Sequence, residues 1–382
     1  MPSSLQVMVD EHESARLFRE ADNLVLRYAD GARSQDFVSL TMPVRRQDYV
    51  HQCLHPVFEM HLPEGYLLSI IRRYSAKLTG NDDLALLQLL APAMRGRLHY
   101  QQLNNSTQPL HLDDLLLPRT GLFEELVERF ALQSPVSGVQ PKVLARLQDK
   151  ATLRMDDYIV KAWGQEFPQL ALNEFWCMEV FRSAGVPVPE FHLSADGSLF
   201  IMKRFDYEAG GRYLGFEDMC VLQARSRNDK YEGSYEQVVK TIKSFVSPRH
   251  LHESLQYFFK MMVLNQRLQN GDAHLKNFGL LYRNVQDIWL APAYDVVSTT
   301  AYIRNDMSAL TLMGSRKWWQ REHLLKFGIQ HCMLSAGQAQ NLYQQCEQAM
   351  LQVADRINRQ LASIKHQEQR DILQHLLQRL TR

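Results

Sequence analysis

Three stretches near the start of the chain, "LQVMVD", "NLVLRYA" and "FVSLTMPV", are apolar or alternating and are separated by charged or turn-forming residues. That pattern predicts short strands in a small β-rich region. Apolar positions at helical spacing follow in "LLSIIRRYSAKL" and "DDLALLQLLAPAM". Residues 104–114, "NNSTQPLHLDD", are rich in turn formers and place a boundary near residue 118. A second pattern then begins: a helix in "GLFEELVERFAL" and two strands in "KVLARLQD" and "ATLRMDDYIVKAW". After these comes a helix in "LALNEFWCMEVFRSAG" that Gly185 and Pro187 terminate. Two further strands, "EFHL" and "SLFIMKRF", flank the turn at 195–198.

Beyond about residue 207 the pattern is mainly helical. The strongly apolar "SLQYFFKMMVLNQRLQN" runs directly into the polar octapeptide "NGDAHLKN" (270–277), and the apolar "FGLL" after it predicts a strand. Leu342, Cys346, Met350, Val353, Ile357, Leu361 and Ile364 form one stripe of a long amphipathic helix. Ser335 and Gln338 ahead of it match a capping box, and the stripe is expected to face the core rather than a partner.

Composition narrows the function classes. The 382 residues carry 43 Lys and Arg against 42 Asp and Glu, so bulk charge predicts no attraction to nucleic acid or membranes. The five cysteines lie far apart without a C-x-x-C pair, which argues against a zinc ribbon or disulfide framework and for buried thiols. The first residues lack a basic and apolar leader pattern, and no apolar run approaches the ~18 residues of a membrane span, so a cytoplasmic protein is expected.

The octapeptide concentrates an acid, an imidazole, an ammonium and an amide between two apolar segments. A solvated polar turn, a metal site and a phosphotransfer loop all have that composition. Asp272 and Asn277 have four residues between them, the spacing at which kinase loops place a base for the acceptor hydroxyl and a magnesium ligand. Lys276 lies where it could neutralise charge on a transferred phosphoryl group. Eighteen residues beyond Asn277, Asp295 in "DIWLAPAYDVVST" offers the second acid that ATP chemistry needs, although a helix N-cap is the competing role. Lys161 in "YIVKAW" sits on an apolar strand, as does the kinase lysine that holds ATP phosphates and pairs with a helix glutamate. Glu174 is the natural partner and Glu179 the reserve. The turn "SPVSGVQPK" (134–142) has one glycine and matches no standard phosphate-loop pattern, yet its backbone N–H groups and Lys142 could face phosphates. The order of these pieces along the chain is that of protein-kinase-like folds.

"NGDAHLKNFGLL", "LAPAYDVVS", "MKRFD", "EDMC" and "SGVQPK" together resemble the HipA-like serine/threonine kinases of bacterial type II toxin–antitoxin systems. "FVSLTMPV" and "LLSIIRRYSAKL" resemble the family's N-terminal subdomain, so the likeness covers nearly the whole chain. It implies an α+β, two-lobed, protein-kinase-like fold: a small β-rich N-terminal subdomain at 1–118, an N-lobe at 119–206 and a mainly helical C-lobe at 207–382. It also implies roles. Asp272 would be the catalytic base assisted by Lys276, with Asn277 and Asp295 on Mg2+. Lys161, paired with Glu174, would hold the phosphates of ATP, and Ser137, Gly138, Val139, Gln140 and Lys142 would form the phosphate loop. Lys203, Arg204 and Phe205 would form the hinge against adenine through backbone groups, with His274 and Tyr294 lining the site.

The chain departs from the family at two places. Lys203 stands where an acidic hinge residue is common, which backbone contacts would tolerate. The serine that many members autophosphorylate, three residues before the loop glycine, is replaced by Pro135, so Ser137, directly before the glycine, or Ser134 becomes the candidate. A phosphate there would oppose nucleotide binding. The resemblance further implies a protein substrate, an aminoacyl-tRNA synthetase in known members. It also implies a small helix-turn-helix antitoxin through which DNA is met only indirectly. A small-molecule kinase of the aminoglycoside or choline type and an inactive binding module are the alternatives. A metal nuclease using Asp272, His274 and Asp295 leaves Lys161 and Glu174 unexplained.

Overall fold

Five short strands open the chain. In the computed structural model β1 (Ser4–Val9), β2 (His12–Glu20), β3 (Asn23–Tyr28), β4 (Tyr49–His51) and β5 (Leu98–Tyr100) form one antiparallel sheet in the order β4-β3-β2-β1-β5. The structure describes residues 4–62, 82–91, 94–100, 110–111, 115–118, 142–148, 155–208 and 211–382. Leu5, Val7 and Val9 of β1 face inward with Ala15 and Leu17 of β2, as the period-2 alternation of a half-buried sheet requires. Sequence patterning overlooked β2, because His12, Glu13, Arg16, Arg19 and Glu20 fill its other positions and mask the alternation.

"FVSLTMPV" is not a strand. Residues 39–42 fold into a tight turn bridged between Ser39 and Met42, and the backbone polar groups find side chains instead of a ladder. Val38 N–H donates to Tyr28 Oη at 2.8 Å, and Leu40 N–H donates to the Glu217 carboxylate at 2.8 Å. Ser39 Oγ donates to the other Glu217 oxygen at 2.8 Å. Glu217 lies on β11 (Gly215–Asp218) and also accepts from Tyr282 Oη, on β12 (Gly279–Asn284), at 2.8 Å. Gly215 makes room for that tyrosine: a Cβ there would stand 2.0 Å from the ring.

The two expected strands of the next region are present as β7 (Lys142–Gln148), paired antiparallel with β8 (Met155–Ala162); a two-residue strand β6 (Leu110–His111) runs parallel to β7. The helices proposed at 67–78 and 121–132 and the phosphate turn at 134–141 lie outside the described residues. Of the early helices, α1 (Pro56–Glu59) was not anticipated, whereas α2 (Asp83–Leu90) begins at an Asp82 cap as its apolar pattern suggests.

The helical half follows the sequence closely. It comprises α3 (Leu170–Ser183), the one-turn α4 (Met219–Leu222), α5 (Tyr235–Phe245), α6 (Pro248–Leu268), α7 (Arg321–His331), α8 (Ala336–Leu361) and α9 (Gln367–Leu380). Hairpin β9 (Phe191–Leu193) and β10 (Leu199–Lys203) turns at Gly197, and β13 (Asp287–Leu290) follows β12 after Val285 and Gln286. Pro248 starts α6 at its first turn, where the missing N–H costs nothing, and the Ser335–Gln338 capping box opens α8. Leu342, Cys346, Met350, Val353 and Ile357 are buried, so the stripe is core; Leu361 and Ile364 are half-buried, and Ile364 lies past the helix end. Each such side chain contributes roughly 1.5–3 kcal/mol by burial. Cys177, Cys220, Cys332 and Cys346 are buried thiols and Cys53 is exposed. Among the described residues no helix is long and apolar enough to cross a membrane.

The chain divides into two compact units. One is Met1–Ala162 with Lys203–Asn228 and Leu281–Gln286, holding the N-terminal sheet and the Glu217 network. The other is Trp163–Met202 with Asp229–Leu280 and Asp287–Arg382, where α3, α6, α8 and α9 pack on one another.

Candidate active site

The octapeptide begins where α6 must stop. Gln269 takes left-handed backbone, φ +57°, and its N–H and that of Asn270 both return to the Asn265 carbonyl. Asn270 is buried and works in both directions. Its Nδ2 donates to Asn265 Oδ1 at 2.9 Å, and its Oδ1 accepts from Asp272 N–H at 3.1 Å. Gly271 N–H donates to Thr299 Oγ1 at 2.8 Å, and Thr299 Oγ1 donates to Asp306 Oδ2. A Cβ at 271 would stand 1.9 Å from that Asp306 oxygen, so only glycine fits this approach. The turn is therefore held from both sides before its functional residues are reached.

Asp272 projects from it with 45% of its side chain exposed. Its Oδ1 accepts from Tyr231 Oη at 2.6 Å, and His274 Nε2 lies 3.9 Å from the same oxygen, beyond hydrogen-bond reach. Burial holds the His274 imidazole below its ordinary pKa, outweighing the carboxylate of Asp272. A neutral, buried His274 lines the loop. Lys276 and Asn277 follow in a 3-10 turn, Leu275–Asn277, tied down by Leu275 N–H to the Lys230 carbonyl at 3.0 Å.

Asp295 comes to the loop from the segment after β13. Asn277 Nδ2 donates to the Asp295 carbonyl at 3.2 Å, and Tyr294 Oη donates to the Lys276 carbonyl at 2.6 Å. Asp295 itself has left-handed backbone, φ +59°, a conformation that costs an L-residue on the order of 1–3 kcal/mol and collects at functional sites. The N-cap role is excluded, since the next helical turn is the 3-10 turn Thr299–Ala301, capped by Ser298. Asn173 of α3 fixes that end reciprocally: its Nδ2 donates to the Ser298 carbonyl at 3.0 Å and its Oδ1 accepts Ser298 N–H at 2.9 Å. Asn270, Asn277, Tyr294 and Asp295 line one small cavity with the apolar Phe181 and Met261.

Among the described residues no group of three or more His, Cys, Asp or Glu could hold a metal ion. The Asn277 amide and Asp295 carboxylate are hard oxygen donors of the kind Mg2+ takes, one or two from the protein with the rest from phosphates and water. They fit that ion.

The other expected residues lie as follows. Glu174, in the second turn of α3, is fully buried. Glu179 is committed to ion pairs with Arg356 at 2.7 Å and Arg182 at 2.8 Å, which removes it as the reserve. Lys161 is 2% exposed on β8, and the register places it opposite residue 142. Lys203 ends β10 with its ammonium 5.9 Å from the Tyr158 ring, and Phe205 meets Phe216 edge to face. The Arg204 guanidinium bonds Asp206 and the Arg95 carbonyl. Burial opposes its charge, yet Asp206, Asp157 and Tyr213 together outweigh burial and hold it above its ordinary value. Its side chain thus braces the chain. Ser134, Ser137, Gly138, Val139 and Gln140 lie outside the described residues. Sequence reasoning missed Tyr231, Asn265, Asn173, Thr299 and Asp306; only the Asn-Gly-Asp turn signal around 270 hinted that the loop was so firmly held.

Residues 5–101 match the model of the HipA N-terminal domain, and residues 134–363 match that of the HipA-like C-terminal domain. The chain belongs to the HipA-like family. A protein named "Putative kinase Y4dM", of Sinorhizobium fredii, is 27% identical over 289 residues, 69% of this chain and 66% of its own length. A Haemophilus influenzae protein with the same kinase designation is 29% identical over 185 residues, 44% of this chain and 53% of its own length. The chain thus spans just under two thirds of the first relative and about half of the second. A solved structure of HipA from Shewanella oneidensis MR-1, in complex with HipB and operator DNA, superposes with a TM-score of 0.69. At 18% identity it covers 98% of this chain and 96% of that one. The fold is accordingly the mixed α+β, kinase-like fold of HipA.

Proposed function

We propose that this HipA-like chain is an ATP- and Mg2+-dependent kinase that phosphorylates a serine or threonine hydroxyl of a protein. The observation that supports this reading is the tie between the loop that bears Asp272 and Asn277 and the segment that bears Asp295, made by Asn277 Nδ2 to the Asp295 carbonyl and Tyr294 Oη to the Lys276 carbonyl. The acceptor hydroxyl oxygen bonds to the γ-phosphorus of ATP, the bond from that phosphorus to the β–γ bridging oxygen breaks, and ADP departs. The hydroxyl proton passes to Asp272. Lys276 offsets charge on the moving group, while His274 and Tyr294 line the site. Mg2+, held by Asn277 and Asp295, would neutralise the phosphate oxygens. Lys161, with Glu174 as its expected partner, and the turn from Ser137 to Lys142 bind the phosphates. Backbone groups of Lys203, Arg204 and Phe205 meet adenine.

Family membership and the kinase designations of the two relatives support phosphotransfer. The Shewanella HipA was solved with HipB and operator DNA, which supports a toxin restrained by a small helix-turn-helix antitoxin, with DNA met through that partner. An aminoacyl-tRNA synthetase is the substrate class the family suggests, and the cytoplasm the site of action. Phosphate transfer from γ-labelled ATP by the wild type, lost in Asp272→Ala, is the expected result; equal transfer by both overturns it. Autophosphorylation is expected on Ser137, or on neighbouring Ser134. Mass spectrometry of ATP-treated protein that finds 134–142 unmodified removes that part alone.

A further inference from the structure

The oxygen of Asp272 that accepts a hydrogen bond takes it from Tyr231, a residue no motif announces. Tyr231 lies between the 3-10 turn Arg227–Asp229 and α5, and its neighbours hold it in place. The Arg316 guanidinium donates to the Tyr231 carbonyl at 2.6 Å, and the Lys230 carbonyl accepts Leu275 N–H from the octapeptide at 3.0 Å. The ring stands edge-on to His274 with centroids 5.1 Å apart. The hydroxyl points at Asp272 Oδ1, 2.6 Å away.

We propose that Tyr231 is the positioning residue of the base. A half-exposed aspartate on a turn would otherwise sample several rotamers, and a base works only when its oxygen meets the acceptor hydroxyl within hydrogen-bond reach. By occupying Oδ1, the tyrosine fixes the carboxylate plane and presents Oδ2 to the acceptor. His274 stands in edge contact with the ring, and its Nε2, 3.9 Å from Asp272 Oδ1, offers that oxygen no competing hydrogen bond. This inference rests on the kinase function proposed above and adds a residue to it.

The test is ATP turnover by the full chain, with γ-labelled ATP as the probe, comparing wild type, Tyr231→Phe, Asp272→Asn and the double variant. Tyr231→Phe keeps the ring against His274 and removes only the hydroxyl; a melting curve matching wild type establishes that it folds. Its rate at saturating ATP is expected to fall roughly ten- to a hundred-fold, the scale of a misplaced catalytic group, with the KM for ATP unchanged. The double variant should be no slower than Asp272→Asn, because the tyrosine acts through the base. A Tyr231→Phe rate equal to or above wild type overturns the proposal, as does a further ten-fold loss in the double variant. Asp272→Asn as active as wild type overturns both this proposal and the kinase function, whereas an inactive Asp272→Asn beside a fully active Tyr231→Phe overturns this one alone.

Discussion

Two carboxylates in this protein each accept a tyrosine hydroxyl, and they do opposite things. In one unit Glu217 is completely buried and takes three donors, Ser39 Oγ, Leu40 N–H and Tyr282 Oη, each at 2.8 Å. In the other, Asp272 is nearly half exposed and, among the described residues, takes one tyrosine hydroxyl, at 2.6 Å. Burial and donor count separate the roles. Glu217 is surrounded on all sides and organises a turn that could not otherwise satisfy its backbone. Asp272 is held along one edge only, and a carboxylate with an open edge can still take a proton from something that arrives.

The largest expected effect lies on the exposed side of this contrast. Asp272→Ala should cut ATP turnover by roughly 10²–10⁴, the span of a general base, while the melting temperature stays near wild type. Glu217→Ala should behave in reverse. It strands three donors, of which Ser39 and Tyr282 are buried and cost about 1–3 kcal/mol each, so urea unfolding should show a loss of several kcal/mol. If Glu217→Ala unfolds like wild type, the Ser39–Met42 turn is not held as described. Between the two lies Gly271→Ala, whose methyl must displace Asp306 and the loop: about 1–3 kcal/mol of stability is lost, with a disproportionate fall in turnover.

The smallest effect is a pH dependence of opposite sign in the two units. Burial raises Glu217 to about 7, against the pull of Leu40 N–H, Tyr282 and Ser39. Folded protein therefore holds a proton that the unfolded chain has released, and this contribution to stability is lost as pH rises from about 4.5 towards 7. In the second unit burial lowers His375 to about 4, beside the hydroxyls of Ser298 and Thr300. There the unfolded chain binds the proton more readily, so stability is lost as pH falls from 6.5 towards 4. Melting curves across pH 4–8 should show Glu217→Gln flattening the first slope and His375→Asn the second. A variant that leaves its slope unchanged contradicts the assignment of that group.

The helical unit was the more legible in sequence. Its apolar stripes have a 3.6-residue period long enough to read, and "NGDAHLKN" and "APAYD" carry their chemistry within a few consecutive positions. The β-rich region was less so. β2 alternates too weakly among charges to be read as a strand, and "FVSLTMPV" has strand-like composition but spends its backbone groups on Tyr28 and Glu217. Asp295 was visible as an acid at a suggestive distance, and the structure removes the helix cap among its readings, since Ser298 stands at the N-cap of the next helical turn.

The sequence by itself determined where the polar chemistry lies along the chain, because period, cap and turn signals are local and each is written in a dozen residues. Tertiary structure alone decided which side chains hold that chemistry in place. Tyr231 stands 41 positions before Asp272, Asn173 stands 125 before Ser298, and Ser39 stands 178 before Glu217. Contacts over such separations leave no period in the chain, since they form only when packing of distant apolar faces brings the polar groups within a hydrogen-bond length.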